Sequence, residues 1–131
     1  MQNTCPITEE VKSSKKHIGI PVVADVHYDL WTLKIKLEFL NSDFPVYAIF
    51  KNIQGFRVLD EGYLMEYWDD NKRSQGWLWK VKEDGWHDQE RMRSGFAIGE
   101  HTLKNYDEYM IVGQNDCLNV ICGEEPIILV V

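Results

Sequence analysis

Residues 22–39 alternate apolar and polar side chains, a pattern typical of strands with one buried face. The apolar positions are Val22, Ala24, Val26, Tyr28 and Leu30 in the first part, then Trp31, Leu33, Ile35, Leu37 and Phe39 in the second. They change parity between the two parts, and in one continuous strand that change would turn the buried face outward. We therefore expect a bulge, a sharp bend or a boundary between two strands at Asp29–Trp31.

Further strands are predicted where β-branched and aromatic residues run between turn-forming residues. Residues 46–50 and 55–62 are interpreted as a hairpin, and residues 77–81 as a strand that Asp84-Gly85 reverses in a second hairpin. Segments 108–112, 117–122 and 127–131 are interpreted as three strands joined by short turns. Residues 61–70 fit a strand or a helix, with the strand favoured, and residues 87–95 receive no assignment.

Short strands at close spacing predict a mainly β fold, either an antiparallel sandwich or a partly open barrel, with room for one short helix. Residues 1–16 lack apolar periodicity and are predicted to form a mobile N-terminal tail. Residues 17–131 are then a single globular β domain, because a chain of 131 residues is an ordinary size for one domain.

Four of the five tryptophans lie between residues 68 and 86. Trp77, Trp79 and Val81 alternate along a predicted strand, so they should share one buried face. Trp68 and Trp86 stand beside turns and acidic residues. They either cover the ends of the sheet or anchor a protein interface.

The formal net charge is −7, and residues 61–131 hold fourteen Asp and Glu against seven Lys and Arg. Such a balance repels nucleic acid and attracts basic partners. We therefore expect a non-catalytic protein-binding domain for a basic protein, with an immunity or antitoxin-like inhibitor as one version. The predicted binding residues are Trp68, Asp69, Asp70, Glu83, Asp84, Trp86 and Asp88.

Two alternatives stay open. In the first, Trp77, Trp79, Tyr28 and Tyr67 line a cavity for a sugar or a small apolar molecule. In the second, Asp25, His27 and Asp29 on one strand face form a catalytic or metal-binding group. The sequence contains none of the common nucleotide, hydrolase or zinc motifs, so no cofactor, metal or catalytic residue is predicted.

The three cysteines, Cys5, Cys117 and Cys122, are expected to be thiols. Cys117 and Cys122 are an odd number of positions apart on one predicted strand, which places them on opposite faces. We expect a cytoplasmic protein, because no apolar run approaches the roughly 20 residues of a membrane span and no secretory signal is visible.

The final segment, Ile127–Val131, is apolar on both faces. A strand of this kind needs cover on each side, and an exposed apolar edge strand invites association. Homodimerisation through this strand is therefore a hypothesis from the sequence.

Overall fold

The computed structural model describes residues 7–60, 76–83, 85–92 and 106–130, and for residues 83 and 90–92 it describes the backbone only. The strands within these ranges are β1 (Ile7–Glu10), β2 (Val22–Tyr28), β3 (Thr32–Glu38), β4 (Val46–Lys51), β5 (Ile53–Asp60), β6 (Leu78–Glu83), β7 (Asp107–Val112), β8 (Asp116–Cys122) and β9 (Ile127–Val130). A 3-10 helix covers Lys12–Lys16, and α1 covers Trp86–Met92. Within these ranges, no helix has the length and apolar character that crossing a membrane requires.

The strands form two antiparallel sheets that pack face to face. Sheet A has the strand order β1-β6-β7-β8-β5, and sheet B has the order β2-β3-β4-β9. The prediction of a mainly β fold is confirmed. Of the two predicted architectures, the structure is the antiparallel sandwich. The single α-helix in the described ranges corresponds to the short helix that the prediction allowed.

The main core lies between the two sheets. Sheet B contributes alternate residues of β3 and β4, and sheet A contributes alternate residues of β7 and β8. The fully buried members of these strands are Leu33, Ile35, Leu37, Val46, Ala48, Phe50, Ile111, Leu118, Val120 and Cys122. Each large apolar side chain buried in this way contributes roughly 1.5–3 kcal/mol, which makes strand alternation the main determinant of the sandwich.

The predicted break at Asp29–Trp31 is the hairpin turn between β2 and β3. The Asp29 N–H donates to the Thr32 carbonyl at 3.2 Å, so Leu30 and Trp31 are the two residues of the loop that this bond closes. β2 itself departs from the predicted alternation. Its pairing with β3 shifts at Ala24, so that Val23 faces the core and Ala24 faces solvent. The β7–β8 turn explains the shift, because the Asn115 side chain accepts a hydrogen bond from the Val23 N–H at 3.2 Å and donates one to its carbonyl at 3.3 Å.

The predicted hairpin of residues 46–50 and 55–62 is wrong. β4 pairs with β3 and β9, whereas β5 pairs with β8 in the other sheet. Only Asn52 separates β4 from β5, which is too short for a hairpin loop. Its backbone has a φ of 55°, and the chain crosses there from sheet B to sheet A.

The predicted reversal at Asp84-Gly85 is also wrong. The Gly85 carbonyl accepts a hydrogen bond from the Gln89 N–H at 3.1 Å, and the chain enters α1 instead of a returning strand. The antiparallel neighbours of β6 are β1 and β7, which come from distant parts of the chain. Residues 86–92, which had no assignment or lay in the predicted hairpin, are therefore helical.

The prediction of a tail without structure is wrong for residues 7–16. β1 pairs with β6, and the Val11 N–H donates to the Leu78 carbonyl at 3.1 Å. These contacts use main-chain groups, so they leave no apolar period in the sequence. Residues 1–6 lie outside the described ranges.

Trp77 and Trp79 are both buried, as predicted, but they do not share a face. β6 begins at Leu78, and Trp77 packs beside Leu78 in the core between the sheets. Trp79 and Val81 belong to a second cluster, with Met110, Val112 and Cys117, on the other face of sheet A. The two tryptophans therefore line no common cavity, and the predicted ligand-binding cavity is wrong for this pair.

The three C-terminal strands are confirmed. β7 and β8 form a hairpin in sheet A. β9 lies in sheet B, where it pairs with β4 and forms an edge of the sheet. Cys117 and Cys122 are buried thiols on opposite faces of β8, as predicted. Burial raises the pKa of the Cys122 thiol to about 12.

Candidate functional site

The structure describes two of the seven predicted binding side chains. Trp86 and Asp88 lie in the first turn of α1. Glu83 is the last residue of β6, and its side chain is outside the described part, as are Trp68, Asp69, Asp70 and Asp84. The acidic, tryptophan-bearing surface therefore remains a prediction at those five positions, and Trp86 is the residue from which its surroundings can be built.

Trp86 packs across β5, one of the two edge strands of sheet A. The Arg57 guanidinium carbon lies 5.0 Å from the centre of the Trp86 ring, a cation–π contact. A Cβ atom at Gly55 would lie 3.7 Å from the same ring, so the ring lies over the backbone of β5 there. The Trp86 side chain is half-buried, which leaves part of its ring on the surface.

A chain of hydrogen bonds under α1 connects β5, β8 and β7. Arg57 Nε donates to Asn119 Oδ1 at 3.0 Å, and Asn119 Nδ2 donates to Glu108 Oε2 at 2.8 Å. The other carboxylate oxygen of Glu108 accepts the backbone N–H of His87 at 2.8 Å. Glu108 is 2% exposed and Asn119 is fully buried, so α1 is attached to the sheet by polar groups in a water-poor interior.

The β2–β3 loop presents two apolar side chains to solvent. Leu30 is 75% exposed and Trp31 is 82% exposed. The Asp29 carboxylate accepts the backbone N–H groups of Thr32 at 2.8 Å and Trp31 at 3.0 Å. These two bonds lower the pKa of Asp29 and support the backbone of the loop. The prediction that Trp31 belongs to the buried alternation is wrong, because it lies in the turn.

Leu30 has a φ of 80°, in the left-handed region, and it is the first residue of the two-residue loop. A positive φ at the first position alone is the type II′ pattern, in which glycine normally occupies that position. Leucine there costs about 1–2 kcal/mol relative to an ordinary backbone conformation. The chain thus keeps an exposed apolar side chain at a position where it is costly for folding.

Leu30→Gly should raise the free energy of unfolding by about 0.5–1 kcal/mol, because glycine relieves the strain but loses more chain entropy. Urea unfolding monitored by circular dichroism measures the change. Leu40→Gly is the matched control, since Leu40 is 96% exposed in the β3–β4 loop and its φ is not positive. Leu40→Gly should give no gain, and a loss of stability on Leu30→Gly would contradict the strain.

The β2–β3 hairpin and α1 contact β5 from its two opposite faces, because Phe56 packs towards the core between the sheets and the next residue, Arg57, points the other way. Phe56 contacts Tyr28 at the base of the hairpin, with ring centres 5.1 Å apart, while Gly55 and Arg57 contact Trp86. We call this region the β5 surface. It consists of Tyr28, Leu30, Trp31, Phe56, Arg57, Trp86 and Asp88. Tryptophan, tyrosine and arginine are the residue types that dominate binding energy at protein interfaces.

Sequence reasoning missed five members of this surface: Tyr28, Leu30, Trp31, Phe56 and Arg57. The available signal was the parity change at Asp29–Trp31, which marks a turn and therefore an exposed position. Arg57 carried no comparable signal. Its role depends on Asn119, which lies 62 residues away in the sequence.

The predicted Asp25, His27 and Asp29 group does not form a site of its own. In the β2–β3 pair, Asp25 lies opposite Lys36, and His27 lies opposite Lys34. The side chains of Asp25 and His27 are exposed to solvent. The Asp29 carboxylate is engaged by the loop backbone. In the described part of the chain, no three His, Cys, Asp or Glu side chains come together in a way that would hold a metal ion.

An open groove of about 900 Å³ lies between the 3-10 helix and strands β1, β6 and β7. Its lining is mostly charged, with Glu9, Glu10, Lys12, Lys15, Lys80 and Asp107 among the contributors. Lys80 and Asp107 form an ion pair at 3.7 Å within it. This groove has a different chemistry from the apolar, aromatic cavity that the ligand-binding alternative requires.

The β5 surface thus extends around an edge strand, with the hairpin of the strained, exposed loop on one face of β5 and Trp86 with its buried polar network on the other. Comparison of the chain with protein-family models, with curated proteins and with solved structures finds no match.

Proposed function

We propose that this chain is a protein-binding domain whose β5 surface docks on a basic protein. The observation that carries the proposal is the β2–β3 loop, in which Leu30 and Trp31 face solvent on a strained, hydrogen-bonded turn. Backbone strain of this kind concentrates at functional sites.

The loop offers a large gain on binding. Burying a leucine or a larger aromatic side chain contributes roughly 1.5–3 kcal/mol each. The Asp29 carboxylate already holds the backbone of Trp31 and Thr32, so little loop entropy is lost when a partner covers the side chains. Trp31 therefore has the properties of an interface anchor.

The second part of the β5 surface is also preorganised. Trp86 is held by Arg57, and Arg57 is held by Asn119. Glu108 accepts the His87 N–H and so ties the first turn of α1 to the same network. A partner that contacts Trp86 and Asp88 meets side chains whose positions are already supported from below.

Charge supports a basic partner. The net charge is −7, and a surplus of negative charge attracts a cationic surface. One concrete version is an immunity or antitoxin-like inhibitor of a nucleic-acid-cleaving toxin, because a protein that binds a phosphate backbone carries a basic surface.

The test is a quantitative affinity purification from lysate of the source cell with the tagged chain, followed by binding kinetics on the captured protein. Trp31→Ala should weaken binding by about tenfold or more, as expected for an interface anchor. Phe44→Ala is the matched control, because Phe44 is an exposed aromatic residue in the β3–β4 loop, away from the β5 surface. Equal binding by the wild type and Trp31→Ala would contradict the proposal.

A second variant tests the charge. Asp88→Lys should reduce the association rate and make it less sensitive to salt, while the dissociation rate changes less. Stopped-flow kinetics at low and high salt measures both rates. An unchanged association rate would show that a basic partner is not steered by this part of the surface.

A further inference from the structure

Among the strands of the described ranges, four lie at sheet edges: β1 and β5 in sheet A, and β2 and β9 in sheet B. An edge strand exposes main-chain N–H and C=O groups that can pair with another chain. Proteins protect such edges with bulges, charged side chains or prolines. The four edges of this chain can therefore be compared by how each one is protected.

Three of the edges carry both a bulge and charged residues. The pairing register shifts between Ile7 and Thr8 in β1, between Val23 and Asp25 in β2, and between Ile53 and Gly55 in β5. The charged residues of these strands are Glu9, Glu10, Asp25, Arg57 and Asp60. Each of these edges is poorly suited to pairing with a further strand.

β9 has neither kind of protection. It pairs with β4 in regular register over its whole length, and its sequence Ile127–Val130 contains no charged residue and no proline. Ile127, Leu129 and Val130 are 48%, 44% and 49% exposed. Within the described part of the chain, no further strand pairs with β9, which is therefore an apolar edge of the form that associates with other strands.

The apolar character continues onto the outer face of sheet B. Leu129 lies opposite Tyr47 and Ile127 lies opposite Ile49, so these four side chains form a stripe beside the edge. On the inner face, Ile128 lies opposite Ala48 at the margin of the core.

We propose that β9 pairs with β9 of a second copy of this chain, antiparallel about a two-fold axis at Ile128 or Leu129. With the axis on a residue, each residue of one β9 faces a residue of the other that is an even number of positions away in the sequence. Such residues lie on the same face of a strand, so outward side chains meet outward ones and inward side chains meet inward ones. It joins two four-stranded sheets into one sheet of eight strands. The outer stripes of the two copies then lie side by side.

The chemistry of the strand selects a second copy over a charged partner. β9 offers no charged side chain to a basic or acidic strand, whereas its own copy matches it with apolar residues on both faces. The two-fold arrangement uses both free edges, so association stops at the dimer. β2 and β9 are the two opposite edges of sheet B, and β5 of sheet A contacts β2 through Phe56 and Tyr28. Pairing through β9 therefore leaves the β5 surface accessible.

Sedimentation equilibrium of the full chain over a concentration series tests the proposal. The wild type should approach twice the chain mass as concentration rises, and Ile127→Lys or Leu129→Lys should sediment as a monomer. Leu40→Lys is the control, because it makes the same charge change at an exposed loop residue outside β9. Circular dichroism confirms that each variant is folded. A wild type that stays monomeric at high concentration, or a dimer unaffected by Leu129→Lys, would overturn the proposal.

A spin label places the interface. In a Cys5→Ser background, a nitroxide on Leu129→Cys should show strong dipolar broadening, because facing strands bring the two labels to within on the order of 5 Å at the backbone. Cys117 and Cys122 are buried and should not react with the label. A label on Leu40→Cys should show no broadening. A dimer in which the label at 129 is also unbroadened would assign the contact to another surface.

Discussion

Trp77→Ala should lower the free energy of unfolding by about 3–5 kcal/mol, the usual range for removing a large aromatic side chain from a core. Trp77 is fully buried between the sheets, and its ring meets the edge of Phe39 with centres 5.3 Å apart. Its indole N–H lies 3.0 Å from the Ser14 carbonyl and 3.2 Å from the His17 carbonyl. The substitution therefore opens a cavity and removes a donor from two carbonyls of the N-terminal segment.

Urea unfolding followed by far-ultraviolet circular dichroism measures this loss. Trp77→Phe keeps most of the apolar volume but not the N–H group, so its loss should be clearly smaller, and it provides a reading if Trp77→Ala does not fold. Trp31→Ala is the exposed counterpart and should change stability by less than about 0.5 kcal/mol. A Trp77→Ala loss no larger than that of Trp31→Ala would contradict the position of Trp77 in the core.

Asn119→Ala should lower the free energy of unfolding by about 2–4 kcal/mol, because it removes one hydrogen-bond partner from the buried Glu108 carboxylate and one from the half-buried Arg57 guanidinium. The amide of Asn119 donates to Glu108 and accepts from Arg57, and it is fully buried. Its loss also loosens the support of α1, since Glu108 holds the His87 N–H. In urea unfolding of Asn119→Ala, we expect the near-ultraviolet circular dichroism of the tryptophans to change at a lower urea concentration than the far-ultraviolet signal of global unfolding.

Asn115→Ala is the matched control. Asn115 also makes two hydrogen bonds through its amide, to the backbone of Val23, but it lies in the exposed β7–β8 turn. Water can replace those bonds, so the expected loss is about 1 kcal/mol or less. Equal losses for Asn119→Ala and Asn115→Ala would show that burial does not strengthen the network.

Much of the strand pattern could be predicted, because alternation is a property of neighbouring residues in one strand. The β3 residues Leu33, Ile35 and Leu37 are fully buried as their spacing predicts, and the break before β3 is where the parity changes. Alternation gave the wrong orientation for Trp77 and Trp31. Each of these residues lies just outside its strand, where alternation no longer determines which way a side chain points.

The candidate site could be predicted only in part. Trp86 and Asp88 were identified from aromatic and acidic residues close together in the sequence, and the structure places them on α1 at the β5 surface. Their supporting residues, Arg57, Glu108 and Asn119, come from three different strands. A hydrogen bond between residues that are far apart in the sequence leaves no local sequence pattern, so a short stretch of sequence cannot predict it.

The order of residues alone therefore determines that this chain forms many short strands, because local alternation and turn residues are sufficient for that feature. The pairing of the strands depends on which distant surfaces bury each other. Folding in three dimensions sends β4 and β5 into different sheets, recruits residues 7–10 as a strand, and leaves β9 at an unprotected edge. These outcomes are set by the competition of all strands for partners, which no single segment encodes.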